Sequence, residues 1–127
     1  MTLVLDTSVL IGEAPVGLEE QVAVSVISFA ELQYGLLVAT DPAERGLRLA
    51  RLSAIEETFD PLPVTGAVAR SYAVLASTIH RTGRRPRSRA LDLLIAATAH
   101  AARAGIATRN PGDLDGLDEL LRIVVIH

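Results

Sequence analysis

Three acidic residues stand alone in otherwise uncharged stretches of this sequence. Asp6 is the only charged residue among the first twelve, Glu31 is alone between positions 21 and 40, and Asp92 is alone between positions 90 and 102. A carboxylate in apolar surroundings needs a partner, because burying an unpaired charge is energetically costly. No lysine exists in the chain, and its twelve basic residues are arginines that lie mostly in other segments. A divalent cation would offset all three charges.

Each of these acids also has an ordinary structural explanation. Asp6 could cap a short helix after a first strand, Asp92 could favour a helix N-terminus through the dipole, and Glu31 could reach solvent. Solvated helical faces normally carry several charges, however, and buried carboxylates are rare unless they are paired. The three isolated acids together therefore favour a shared metal site.

The types of ligand indicate which metal such a site would prefer. The chain has no cysteine and no clustered histidines, and carboxylate oxygens favour Mg²⁺ or Mn²⁺ over Zn²⁺. Asp113, in Thr-Arg-Asn-Pro-Gly-Asp, is the predicted fourth acid, and Asp115 is the alternative. A metal held by a few carboxylates keeps bound waters, so it can activate one for attack on a phosphodiester and neutralise phosphoryl charge.

Strands that alternate with helices would bring these acids together. Leu3, Val4 and Leu5 predict a buried strand that ends at Asp6. The other strands are expected over Gln21–Ser25, Ile106–Thr108 and Ile123–Ile126. Longer helices are expected over Val26–Ala39, Ala43–Phe59, Thr65–Thr82 and Ser88–Ala104, with a short helical piece over Leu117–Leu121.

This alternation predicts an α/β fold with a mostly parallel central sheet that helices cover on both faces. In such folds ligands gather beyond the carboxyl ends of the strands, where Asp6 and the loop 109–113 would meet. In the helix Ala43–Phe59, one stripe is expected to form core or a dimer surface while the arginines are more exposed. That stripe consists of Leu47, Ala50, Ser53 and Ala54.

Composition limits the broad class of the protein. With 127 residues, half of them hydrophobic, the chain is predicted to be one domain over 1–127. It shows no signal-peptide pattern and no apolar run long enough to span a membrane, and the lack of cysteine fits a cytoplasmic location. Few aromatic residues argue against a base-stacking sheet. The net charge of −3 excludes little, because the remainder of the chain would carry +1 if four of its acids bind a metal.

Four segments, in order, carry a resemblance to a known family. They are Leu-Asp-Thr-Ser-Val-Leu-Ile at 5–11, Ala-Glu-Leu-Gln-Tyr-Gly at 30–35, Asp-Leu-Leu-Ile-Ala-Ala-Thr-Ala at 92–99 and Thr-Arg-Asn-Pro-Gly-Asp at 108–113. Together they cover nearly the whole chain, which resembles PIN-domain proteins and specifically the VapC toxins of bacterial toxin–antitoxin pairs. One departure is Leu114, since an aromatic residue often follows the last acid in the family.

The resemblance implies a PIN-like fold and a metal-dependent endoribonuclease that uses Mg²⁺, or Mn²⁺, to cleave RNA. Its metal-binding catalytic acids would be Asp6, Glu31, Asp92 and Asp113. Thr7 and Asn110 would support the metal or the phosphate. Family members are commonly homodimers, and a cognate antitoxin of the VapB type silences them by placing a segment in or near the active site.

An arginine-rich segment precedes Asp92 and allows two interpretations. It contains five of the twelve arginines: Arg81, Arg84, Arg85, Arg87 and Arg89. The segment could be a solvated loop, or Arg84, Arg85, Arg87 and Arg89 could form an RNA-binding rim that contacts phosphates beside the metal. We favour the rim because the segment adjoins a predicted catalytic acid.

Other functions remain as alternatives at this point. The chain could be a PIN nuclease of RNA processing outside a toxin–antitoxin system, or a catalytically silent PIN module that binds RNA. An aspartyl-phosphate phosphatase or a receiver domain also places an aspartate after the first strand near Mg²⁺. Both use an essential lysine, which this chain does not have.

Overall fold

A computed structural model describes residues 2–13, 18 and 20–127 of the protein. Its strands are β1 (Thr2–Leu5), β2 (Gln21–Val24), β3 (Gly105–Thr108) and β4 (Ile123–Val125). Its α-helices are α1 (Thr7–Leu10), α2 (Val26–Val38), α3 (Pro42–Thr58), α4 (Gly66–Arg81) and α5 (Ala90–Ala101). Two 3₁₀ turns span Pro86–Arg89 and Pro111–Leu114. None of the described helices is both long enough and apolar enough to cross a bilayer.

The four strands form one parallel sheet in the order β2-β1-β3-β4, which confirms the predicted α/β fold. Leu5 lies opposite Val24 on one side and Ala107 on the other, so β1, β2 and β3 end at the same edge. The backbone N–H of Asp6 then donates to the Ala107 carbonyl at 3.0 Å. The three segments that follow these strands therefore leave the sheet side by side.

Helices and loops cover both faces of the sheet, because alternate residues of β1 point in opposite directions. Val4 belongs to the core that includes Leu75 of α4 and Ile95 of α5. Leu3 and Leu5 belong to the opposite core, together with Val9 of α1. Burial on both faces explains why the central strands β1 and β3 have nearly continuous apolar sequences instead of an alternating pattern.

Side-chain caps fix the start of the three long helices α2, α3 and α4. The Ser25 hydroxyl accepts from the Ile27 amide at 3.0 Å, and the Asp41 carboxylate accepts from the Glu44 amide at 3.0 Å. Thr65 begins α4 in the same way. These caps satisfy amides that have no partner within the helix. Thr65, the first residue of the predicted helix Thr65–Thr82, is therefore the cap of α4, and Ser25 is the cap of α2.

Two predicted helices are shorter in the structure. α5 begins at Ala90, because Pro86–Arg89 forms a 3₁₀ turn, and it ends at Ala101 before Arg103 adopts a positive φ of 56°. Leu117–Leu121 forms turns with a single i to i+4 bond, from the Leu121 amide to the Leu117 carbonyl.

The Leu47 stripe of α3 does not lie in the core, and the alternative that it forms a dimer surface stays a prediction. Leu47 and Ala50 are exposed, whereas Leu52 and Ile55 are buried in a cluster with Leu32 of α2. Arg48 and Arg51, predicted to be more exposed, are half-buried beside α2. The helix has two apolar stripes, and its packing on α2 decides which of them is covered.

Candidate active site

Asp6 stands where β1 ends and α1 begins. It occupies the N-cap position of α1, but its side chain makes no capping hydrogen bond. Instead, its Oδ1 accepts from the hydroxyl of Ser8, whose Oγ accepts from the Arg109 amide at 3.0 Å. Ser8 lies inside α1 and links Asp6 to the loop after β3.

Glu31 lies in the second turn of α2, which follows β2. Its Oε1 accepts a hydrogen bond of 2.6 Å from Thr7 Oγ1, and Thr7 Oγ1 is also 3.0 Å from the hydroxyl of the buried Ser28. The half-buried carboxylate is therefore held against α1 instead of extending into solvent. Thr7 connects the first acid segment with the second.

Asp92 lies in the first turn of α5, near the other three predicted acids. Burial raises the pKa of the Asp92 carboxyl, because it disfavours the charged form. The negative charge of Asp113 raises this pKa further, followed by those of Glu31 and Asp6, while Arg89 lowers it. The four carboxylates are thus close enough to interact electrostatically, with Asp92 among the other three.

The loop after β3 contains both candidates for the fourth acid. Asp113 lies in the 3₁₀ turn, where its Oδ1 is 3.9 Å from Arg89 Nη1. Asp115 instead forms an ion pair of 3.3 Å with Arg84 and does not contribute to the pKa shift of Asp92. Asp113 is therefore the acid of this loop that faces the cluster. Asn110 lies at the start of the same turn, is exposed, and makes no side-chain capping bond there.

The arginine-rich segment lies beside this cluster. Two of its four arginines that were predicted to bind phosphate are instead bonded to groups of the protein. Arg84 pairs with Asp115, and Arg89 donates to the Gly112 carbonyl at 3.0 Å. Arg85 and Arg87 are exposed, and their side chains have no hydrogen-bond or ion-pair partner in the part of the chain that the structure describes. These two guanidinium groups are the ones free to meet a ligand.

Comparisons with known proteins identify the fold. Residues 3–120 match the family model of the PIN domain. The chain belongs to the PIN-domain family. It is 46% identical over 99 residues to Ribonuclease VapC8 of Mycobacterium tuberculosis, covering 75% of this chain and 88% of the relative. It is 37% identical over 130 residues to Ribonuclease VapC5 of the same organism, covering 98% and 93%.

Solved structures agree with this assignment. The crystal structure of VapBC-5 from Mycobacterium tuberculosis, a member of the VapBC family of toxin–antitoxin systems, matches with a TM-score of 0.83 and 33% identity over 98% of each chain. FitAcB from Neisseria gonorrhoeae matches with a TM-score of 0.75 and 25% identity over 98% of this chain and 96% of that one. The resemblance to VapC-type PIN domains found in the sequence is confirmed.

The described acidic side chains of this PIN domain are of the type that binds a hard divalent cation, although they are not arranged around a common point. Within the described residues, no three acidic or histidine side chains stand in a chelating arrangement. Four carboxylates nevertheless share one edge, and Arg89 is the basic group that acts on Asp92. Oxygen donors with an excess of negative charge are those that Mg²⁺ and Mn²⁺ prefer.

Sequence reasoning missed the residues that hold the acids in place. Ser28 supports Thr7, and the amide of Arg109 supports Ser8 across 101 positions of sequence. The Arg109 guanidinium donates to the carbonyls of Glu13 and His127 at 2.5 and 3.1 Å. Gly12 allows this approach, since a Cβ there would lie 2.6 Å from Arg109 Nε. No local pattern marks such contacts.

Proposed function

We propose that this PIN domain is a metal-dependent endoribonuclease and the toxin of a toxin–antitoxin pair. The observation that carries the proposal is the meeting of four carboxylates at the carboxyl ends of the strands, where Asp92 is both desolvated and repelled by the other three. Ribonuclease VapC8 and Ribonuclease VapC5, named as ribonucleases, are relatives that align with most of the chain. The presence of all four acids speaks against a silent RNA-binding module.

The catalytic acids would hold Mg²⁺, with Mn²⁺ as a substitute. The proposed ligands are Asp6, Glu31, Asp92 and Asp113. When bound, the metal supplies an activated water for hydrolysis of the phosphodiester and offsets phosphoryl charge. The hydroxyls of Thr7 and Ser8 orient Glu31 and Asp6, which preorganises the ligands.

The position of Asp113 supports it as the fourth acid in preference to Asp115. Asp113 acts on Asp92 electrostatically, whereas Asp115 is exposed and paired with Arg84. Asn110 starts the turn that carries Asp113, so its amide can support the metal or a phosphate oxygen. Asp92 must lose its proton to bind a cation, so metal affinity falls at acidic pH.

RNA is the proposed substrate, and the arginine-rich segment is its proposed phosphate-binding rim. Arg85 and Arg87 are the exposed members without a partner in the described chain, so they are the primary phosphate contacts. Arg84 and Arg89 would first have to leave Asp115 and Gly112. Contacts of this kind make affinity depend on salt and carry no sequence information.

The proposed partners are an antitoxin of the VapB type and a second copy of the chain. The matched structure of VapBC-5 is that of a toxin–antitoxin system, which supports the first partner. Tyr34 and Leu37 of α2 and Leu47 of α3 are 68%, 67% and 64% exposed, and large exposed apolar side chains favour association. The proposed location is the cytoplasm, where its RNA substrate is found.

Incubation of the purified protein with total RNA tests the proposed activity. We expect fragments to appear with Mg²⁺ or Mn²⁺ and to disappear with EDTA. Asp92→Asn should lower the rate of RNA cleavage about 100-fold or more, because it removes a proposed metal ligand and not merely a residue that orients one. Asp118→Asn, at an exposed aspartate outside the cluster, is the matched control. Cleavage that survives both EDTA and Asp92→Asn would refute the metal-nuclease mechanism.

A further inference from the structure

A cleft of about 450 Å³ opens between α1, α2 and α3, directly beside the catalytic acids. Thr7 and Glu31 line it at the end that adjoins the acid cluster. Ile11 and Leu32 form an apolar part of its wall, and the Ile11 side chain is 51% exposed. The volume lies within the range of roughly 300–1,000 Å³ that is usual for small-molecule sites. The cleft can therefore hold a group as large as a nucleoside next to the proposed metal.

Two arginines of α3 line the far wall of this cleft, and they differ in their partners. Arg48 donates from Nε to Glu44 at 2.9 Å and from Nη1 to the Gly35 carbonyl at 2.6 Å. Its guanidinium group is therefore already paired and held in place within the protein. Arg51, one turn further along, is half-buried. Its side chain makes no hydrogen bond or ion pair with any described residue. A half-buried guanidinium without a partner favours binding of an anion.

We propose that Arg51 binds an RNA phosphate next to the scissile one, and that the wall formed by Ile11 and Leu32 receives the adjoining nucleoside. The inference rests on the proposed ribonuclease function, because an RNA strand held at the acids would extend into this cleft. Glu31 belongs to the proposed metal site at the near end. On the α3 wall Glu44 is neutralised by Arg48, so Arg51 is left there as the positive group that attracts a phosphate. The planar guanidinium matches phosphate geometry with two parallel donors.

This site would give the RNA a positive contact on each side of the acidic cluster. Arg85 and Arg87 lie on the α5 side, and Arg51 lies on the α3 side. Arg51 is then a substrate-binding residue, whose contact is equal in the ground state and the transition state. Its loss should raise KM and leave kcat nearly unchanged.

Binding of a labelled single-stranded RNA, titrated over a range of salt concentrations, tests this site. The measurement uses Asp92→Asn protein, so that the RNA stays intact, with and without Arg51→Ala. We expect Arg51→Ala to weaken binding about tenfold, as for loss of a hydrogen-bonded charge contact. The slope of log affinity against log salt should fall by about 0.7, the value for one phosphate on a single strand.

Arg45→Ala is the matched control, because Arg45 lies on the same helix and is exposed outside the cleft. It should leave both affinity and slope unchanged, and Arg51→Lys should restore the slope and part of the affinity. Thermal unfolding of each variant reports whether the fold is intact. In the cleaving background, Arg51→Ala should raise KM about tenfold while kcat stays within about twofold.

Three outcomes would overturn the site. They are an unchanged salt slope for Arg51→Ala, an equal effect of Arg45→Ala, and a loss confined to kcat. If Arg51→Ala left RNA binding intact but weakened binding of the antitoxin, the cleft would be a protein-binding site and the RNA proposal would be wrong. Absence of Mg²⁺-dependent cleavage by the wild-type protein would instead refute the proposed function, so the two failures are distinguishable.

Discussion

The two ends of the parallel sheet differ in how their charged and polar side chains are paired. At the amino ends of the strands, Arg122 pairs with Glu20 at 2.8 Å, and Ser71 bonds to His100 Nδ1 at 2.8 Å. At the carboxyl ends, four carboxylates meet around Asp92, and the basic group that acts on Asp92 is Arg89, 3.9 Å from Asp113. The described groups at the amino end pair with one another, whereas most of the clustered carboxylates at the carboxyl end have other carboxylates as their charged neighbours.

The direction of the helices explains how the fold tolerates this difference. α2 begins directly after β2 ends, so its N-terminus lies at the carboxyl end of the sheet. α5 also begins near the acids and ends near β3, with Asp92 in its first turn and His100 in its last. Helix N-termini stabilise negative charge and C-termini stabilise positive charge. The N-termini of α2 and α5 therefore offset part of the repulsion among the acids.

The largest expected effect is on the rate of RNA cleavage, when a glutamate at each end of the sheet is replaced by glutamine. Glu31→Gln should reduce RNA cleavage about 100-fold or more, because it removes a proposed metal ligand. Glu20→Gln should leave the cleavage rate within about twofold and reduce stability by no more than about 1 kcal/mol, the usual limit for an exposed ion pair. Cleavage rates and thermal unfolding measure both. Equal losses of activity would show that charge balance does not distinguish the two ends.

A second prediction concerns the stability of the cation-free protein. The pKa of Asp92 is raised in the folded state, so folding retains its proton more tightly than the unfolded chain does. Its stabilising contribution is full below the unfolded pKa of about 3.9 and is lost as pH rises through the higher folded pKa. Asp92→Asn cannot ionise, so in EDTA it should have a higher Tm than the wild type at neutral pH, with the difference shrinking towards the unfolded pKa.

Mg²⁺ should reverse that order in the same thermal unfolding experiment. A cation that binds only the folded protein stabilises it by up to about 2.7 kcal/mol at a hundred times Kd. The wild type should gain Tm with Mg²⁺, and Asp92→Asn should gain little. Parallel Tm-against-pH curves for the two proteins in EDTA would contradict the repulsion among the acids.

The smallest expected effect comes from removing one serine hydroxyl at each end of the sheet. Ser8→Ala removes the link between Asp6 and the Arg109 amide, and Ser71→Ala removes the partner of His100. Each should cost about 1 kcal/mol of unfolding free energy, the usual value for one hydrogen bond. Only Ser8→Ala should also lower the cleavage rate, by several-fold, because Asp6 loses its orientation. If Ser71→Ala lowered activity as much, Ser8 would have no special role.

Much of the fold follows from local sequence, as β1 and α4 illustrate. Apolar residues before Asp6 predicted the first strand, and the predicted helix Thr65–Thr82 agrees with α4 to within one residue at each end. The orientation of α3 could not be predicted in this way. Both the stripe with Leu47 and the stripe with Leu52 contain apolar residues, and the second is the one that packs with Leu32 of α2.

The sequence by itself predicted the type and the approximate place of the proposed catalytic acids. Three of them were visible because a lone carboxylate in an apolar segment is costly unless something binds it. The tertiary structure decided how they are held and which acid of the last loop faces Asp92. Ser8 reaches Arg109, and Arg84 holds Asp115 away from the cluster, across distances that no periodicity records. Such contacts form only between segments that follow neighbouring strands. Which strands are neighbours is decided by the order of the sheet, and this order is established only when the whole chain has folded.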